Sequence, residues 1–235
     1  MKPLAVQVGG ACMELWPQKA VHLPDHNALL VADVHLGKAQ AFRRLGVPVP
    51  GGTTQDNLQV LDDLLGCTGA RQLIFLGDFL HAPQSSSPAL LHAVQTWRQS
   101  HAGVAMVLVR GNHDLRAGDP PAALDIEVVD EPWLMGPWAL CHHPQQVQGQ
   151  YAVAGHVHPA VQVRRAGRAG RAGGVGRSAD RLRLPCFHLG PQIAVLPAFG
   201  QFTGSHTVQP QADDRVFVVA DDTVRELPTA LQNRQ

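Results

Sequence analysis

The chain has 235 residues, 45% of them hydrophobic, and its 19 basic and 19 acidic residues cancel to a formal charge of zero. That length suits one large domain with a sizeable core, and the charge balance excludes a global pull toward nucleic acid or membrane, so any such pull must be local. Cys12, Cys67, Cys141 and Cys186 lie far apart with no CxxC pair, which argues against a zinc ribbon or a disulfide framework and fits the reduced thiols of a cytoplasmic protein.

The first residues, MKPLAVQVGGACMEL, hold no unbroken apolar stretch, so no signal peptide is expected. No uncharged apolar run reaches about 18 residues, and no membrane span is expected either. LAVQV (4–8), CMELW (12–16) and AVHL (20–23) read as an antiparallel meander. NALLVAD (27–33), LIFLGD (73–78), VAMVLVRGN (104–112), WALCHH (138–143) and YAVAGH (151–156) read as strands buried on both faces. Between the first two, TTQDNLQVLDDLLG (53–66) opens on a Thr-Thr cap and carries Leu58, Leu61, Leu64 and Leu65 at helical spacing. SPALLHAVQTWRQSH (87–101) reads as a second helix. This alternation predicts an α/β domain. QIAVLPAF (192–199) and RVFVVA (215–220) add strands, more sheet than one parallel layer holds. Segment 164–183 carries seven arginines, repeated glycines and one acid without an apolar period, so it is predicted to be a mobile basic loop. The tail after residue 227 is predicted to fray. No domain boundary is visible, and residues 1–235 read as one domain.

Thirteen histidines stand in a chain with a single tyrosine. Each of the five buried strands ends in metal-binding residue types: DVH (Asp33, His35), GD (Asp78), GNHD (Asn112, His113), HH (His142, His143) and GHVH (His156, His158). In an α/β sheet the loops at the carboxyl ends of strands converge on one crevice. Carboxylate, imidazole and amide oxygen together suit Mn²⁺ first, or Fe²⁺ or Zn²⁺, better than a thiolate site or an all-oxygen calcium cage. The ligand types exceed the needs of one ion, whereas two ions roughly 3.5–4 Å apart would use them all and act on a phosphoryl centre. An unperturbed imidazole titrates near about 6.5, within the working range of a proton donor, so His113 is the candidate acid, and Asp114 beside it is expected to fix its tautomer. Lys38 and Arg43, on an expected short helix, and His143 are candidate substrate contacts. His81 is as readily an ordinary loop residue. His22, His26, His188 and His206 have no constellation around them.

In their order, DVH…GD…GNHD…H…GHVH over residues 33–158 resemble the calcineurin-like metallophosphoesterase superfamily. The resemblance implies a four-layer α/β/β/α sandwich of two mixed sheets. It further implies one metal held by Asp33, His35, Asp78 and His158, a second held by Asp78, Asn112, His142 and His156, and His113 as acid. The second block continues GDFLHAP rather than the GDxxDRG usual in phosphoprotein phosphatases, which counts against that activity. DVHLGKAQAFRRLGVPVPGGTT, GDFLHA, PCFHLG and LPAFGQFTGS resemble the bacterial ligase-associated DNA damage response endonucleases, the PdeM family. This implies a phosphodiesterase acting on DNA, with a DNA ligase and a helicase as partners. Two alternatives stay open on sequence: hydrolysis of a small nucleotide diester or pyrophosphate, and a metal-fold scaffold that binds repair partners without chemistry.

Overall fold

A computed structural model of the chain describes residues 2–48, 53–81, 87–164, 181–201 and 203–228. The N-terminal meander forms as expected: β1 (Leu4–Val8), β2 (Ala11–Trp16), β3 (Ala20–Leu23) and β4 (Ala28–Ala32) pair antiparallel. The chain then passes through α1 (Lys38–Arg44) and α2 (Thr53–Thr68) to β5 (Gln72–Leu76), through α3 (Pro88–Ser100) to β6 (Ala105–Val109), and through α4 (Asn112–Ala117) to β7 (Glu127–Val129). Strands β4 to β7 run parallel, completing a seven-stranded sheet in sequence order. Helix α3 starts where its chemistry says it should, with the Ser87 hydroxyl accepting from Leu90 N and Pro88 in the first turn.

The period of two along these strands separates two cores. Leu30, Ile74 and Val107 lie in register and face inward, joining Trp138, Leu140, Val153, Phe187 and Phe217 between the sheets. Their neighbours Leu29, Leu73 and Met106 face outward, beneath Leu61 and Leu64 of α2 and Val94 and Trp97 of α3. Each such apolar side chain, fully buried, contributes about 1.5–3 kcal/mol.

The second half of the chain is a second mixed sheet made of β8 (Trp133–Met135), β9 (Trp138–Leu140), β10 (Tyr151–Ala154), β11 (Pro159–Arg164), β12 (Arg181–Leu189), β13 (Ile193–Val195) and β14 (His206–Thr207). Its strand order is β14-β11-β12-β13-β10-β9-β8, with β15 (Arg215–Ala220) beside β12 and β16 (Thr223–Glu226) beside β15. The two-sheet sandwich is therefore as expected. Helices cover one outer face only, because among the described residues no helix follows Leu124. The outer face of the second sheet instead presents Ala139, Cys141, Ala152 and Ala154 to Val147 and Ile193, small side chains that a loop suffices to bury.

The expected loop at 164–183 needs correction at both ends. Arg164 and Arg181 pair as the last rung of the β11–β12 hairpin, followed by Val163 with Leu182 and Gln162 with Arg183. Here the strand ladder outweighs an unfavourable composition. The remainder of that loop, like the tail beyond residue 228, lies outside the described residues. Among the described residues no helix is long and apolar enough to cross a membrane.

Candidate metal centre

The strands stop short of the residues expected to end them. β4, β5, β9 and β10 finish at Ala32, Leu76, Leu140 and Ala154, and the polar residues follow on loops. Five of them, Asp33, His35, Asp78, His156 and His158, have φ between 48° and 68°. This left-handed region costs a non-glycine residue about 1–3 kcal/mol and persists only where surrounding contacts impose it. Those contacts are visible: His35 N donates to Asp78 O at 2.8 Å, Asp33 N to Gly77 O at 3.3 Å and Gly200 N to Asp33 O at 3.2 Å. His156 N donates to Asp33 Oδ2 at 2.9 Å and His113 N to Asp78 Oδ1 at 3.0 Å, so the carboxylates also order the loops of other ligands. Gly77 has no alternative, since a Cβ there would lie 2.0 Å from His142 Nδ1. The LPAFG stretch docks on the same seam through Phe199 N to Ala32 O at 2.8 Å.

Two groups of donor atoms result. In one, His158 Nε2 lies 3.3 Å from Asp33 Oδ1 and His35 Nε2 lies 3.6 Å from Asp78 Oδ2. In the other, His142 Nε2 lies 3.0 Å from Asn112 Oδ1, 3.1 Å from His156 Nδ1 and 3.5 Å from Asp78 Oδ1. Asp78 therefore turns one oxygen toward each group. Second contacts set the free nitrogens: Nδ1–H of His142 donates to Leu76 O at 3.0 Å and Nδ1–H of His158 to Gly204 O at 2.9 Å. In both rings Nε2 is left as the lone-pair atom that faces the cluster.

These residues fit divalent ions on their own chemistry. Lone pairs of imidazole, amide oxygen and carboxylate face one another with little to hydrogen-bond between them, and Asp33 Oδ1 is buried without a hydrogen-bond partner among the described residues. A cation resolves both features. Burial first, then Lys38 and the neighbouring histidines, pushes His35 down to about 2, which keeps the ring neutral as a ligand must be. Burial and His142 also lower His156. For His158 burial opposes the charge, but the Asp33 carboxylate prevails and holds the ring above its usual range.

His113 has a fixed ring. Its Nδ1–H donates to His81 O at 2.9 Å, and its Nε2 stands 3.9 Å from Asp78 Oδ2. The expectation that Asp114 would set this tautomer is overturned. Asp114 is 1% exposed and spends both oxygens on backbone amides, accepting from Asp78 N at 2.7 Å, Phe79 N at 3.0 Å and Gly111 N at 2.9 Å. It braces the Asp78 loop and does not reach the His113 ring. His81 belongs to the site: its ring stacks on His113 with centroids 5.4 Å apart and meets His35 edge-on at 5.5 Å. Burial, then Lys38 and His113, lowers it to about 4.

Lys38, the first residue of α1, lies near the centre. Burial lowers its pKa, and Asp78 and Asp33 act in the opposite sense from within electrostatic range. Arg43 is placed elsewhere: it borders a separate hollow with Gln40, Thr53 and Ala93 between α1, α2 and α3. His143 stands with its ring centroid 4.5 Å from that of His156. Its Nδ1 lies 2.6 Å from Glu131 Oε1, while Glu131 Oε2 accepts from His142 N and His143 N. Glu131 gave no sequence signal, because nothing about its position marks it as the carboxylate that orients two histidines. Glu131→Gln is expected to weaken Mn²⁺ binding by about 10–100-fold, measured by calorimetric titration; unchanged affinity would show that His142 needs no such support.

The calcineurin-like phosphoesterase family matches residues 26–190 of the chain. Among solved structures, the Pseudomonas putida nuclease MPE is 42% identical, superposes with a TM-score of 0.82, and the match covers 96% of this chain and 100% of that one. The phosphoesterase Yfce from E. coli is 16% identical with a TM-score of 0.43, over 85% of this chain and 97% of that one. None of the curated proteins compared by sequence matches.

Proposed function

The chain belongs to the calcineurin-like phosphoesterase family as a metal-dependent phosphoester hydrolase, and from that premise we propose that it is a two-metal phosphodiesterase that cuts DNA endonucleolytically. The observation that carries the reading is the pair of donor groups sharing Asp78. Asp33, His35, Asp78 and His158 would hold one ion, and Asp78, Asn112, His142 and His156 the other. Ions held there, Mn²⁺ first, supply Lewis acidity and lower the pKa of water. The protein's own residues do the rest. Lys38 draws the phosphodiester anion in, His113 delivers a proton from Nε2 to the departing oxygen, and His143 faces the substrate on the other side. DNA suits a centre left open at the surface, where His156 is exposed, and the neighbour's name as a nuclease supports a nucleic-acid substrate. We further assign the enzyme, as a single metallophosphoesterase domain, to DNA repair with a ligase and a helicase. Its four unpaired cysteines suit the cytoplasm.

The test uses protein stripped with a chelator and reloaded with Mn²⁺, Fe²⁺, Zn²⁺ or Mg²⁺, assayed on single-stranded, nicked and supercoiled DNA and on bis-p-nitrophenyl phosphate. The expected result is no cleavage by the stripped protein, recovery with Mn²⁺, and internal cuts in DNA. Turnover of the small diester with DNA left intact would move the substrate to a small nucleotide. Metal binding without turnover of either would leave a scaffold.

A further inference from the structure

A groove of about 250 Å³ opens beside His158, bordered by Lys19, Arg183, Gly200 and the turn at 203–205. Two full cations face it, and among the described residues no carboxylate borders it. Lys19 reaches it from the β2–β3 turn, where the left-handed backbone of the residue itself, φ 62°, turns the chain. Its Nζ donates to Phe199 O at 2.7 Å, 180 residues away, on the same loop that docks against Ala32 and Asp33. An ammonium carries three donors and this contact uses one. Burial pulls Lys19 down to about 8, and no acid among the described residues offsets it. Arg183, an exposed residue of β12, donates to Ser205 O at 3.3 Å and has no acidic partner among the described residues. A cation withdrawn from water without a counter-charge is costly, and nothing in the fold requires one here: a neutral donor would serve the Phe199 carbonyl equally. The cost is explained if an anion completes the site.

The groove starts at a residue of the metal centre, so an anion held in it lies beside the reacting position. We propose that this groove is the subsite for a second, uncut phosphate, held by Lys19 and Arg183, and that the substrate is therefore a nucleotide chain with a phosphate beyond the broken diester. The inference rests on the phosphodiesterase reading above and narrows it. Contacts of this kind position the strand without reading its sequence.

The experiment compares kcat/KM for a short oligothymidylate, which has neighbouring phosphates, with that for bis-p-nitrophenyl phosphate, which has one. It uses the Mn²⁺-loaded wild type, Lys19→Met, Arg183→Ala, the double variant and Lys19→Arg. The ratio of oligonucleotide to diester activity should fall at least tenfold in the double variant and recover in part in Lys19→Arg. Binding of a fluorescent oligothymidylate should lose salt dependence, with a log–log slope shallower by about 1.4 for two lost single-strand phosphate contacts. An unchanged ratio and slope would overturn the subsite. So would a parallel loss on both substrates with a lowered melting temperature, which would make Lys19 a structural pin for the Phe199 carbonyl. Failure of the underlying reading is separately visible, because the wild type would then turn over the diester and no oligonucleotide before any substitution is made.

Discussion

Asp78→Asn is expected to lower DNA cleavage by about a thousandfold, about 4 kcal/mol of transition-state stabilisation, and to reduce Mn²⁺ stoichiometry by calorimetry from two to at most one. Asp78 is 2% exposed, with Oδ1 3.5 Å from His142 Nε2 and Oδ2 3.6 Å from His35 Nε2. No other side chain among the described residues turns one oxygen to each of His142 and His35. Oδ1 also accepts from His113 N at 3.0 Å, so the same carboxylate orders the start of α4. An amide in its place keeps the volume but loses the negative charge and presents an N–H₂ to one of the two groups. Two full ion equivalents with activity within tenfold of wild type would mean that the groups are filled independently and that Asp78 is a loop brace.

His113→Ala is expected to reduce kcat on DNA by about 10²–10⁴-fold, the usual range for loss of a positioned proton donor, and to reduce bis-p-nitrophenyl phosphate turnover by about tenfold or less. The difference follows from the leaving groups. A nucleoside alkoxide must be protonated as it departs, whereas nitrophenolate is stable as an anion. The ring is held for the task, with Nδ1–H on His81 O and Nε2 facing Asp78. Equal losses on the two substrates would instead make His113 a binding or structural residue. His81, stacked on it at 5.4 Å, is the control: His81→Ala keeps the carbonyl that anchors His113 and should cost far less.

The sites of chemistry and the sheets that carry them were legible to different degrees. The aliphatic runs of β4, β5 and β6 announce buried strands because both their faces are covered, one by the second sheet and one by α2 and α3. The leucines of α2 announce a helix because period 3.6 and burial coincide. Short edge strands such as β7, β8 and β14 have three residues or fewer, too few to display a period. The β11–β12 hairpin was hidden because its outer rungs include arginines, which give no apolar alternation to read.

Local order lies in the chain alone: Asp33, His35, Asp78, Asn112, His142, His156 and His158 each follow an apolar run, and the alternation builds the sandwich. A ligand placed one or two residues past a buried strand must emerge at that strand's end, whatever the rest of the chain does. Which atoms meet depends on how the two sheets and their loops pack. Glu131 behind His142 and His143, His81 against His113, Asp114 on the Asp78 loop instead of the His113 ring, and Lys19 brought to Phe199 all depend on contacts between residues 11 to 180 positions apart. Such contacts follow from the register of one sheet against the other, which no single segment encodes, and from which ring nitrogen a distant carbonyl occupies. The geometry that makes the residues reactive therefore belongs to the fold, although their identities belong to the sequence.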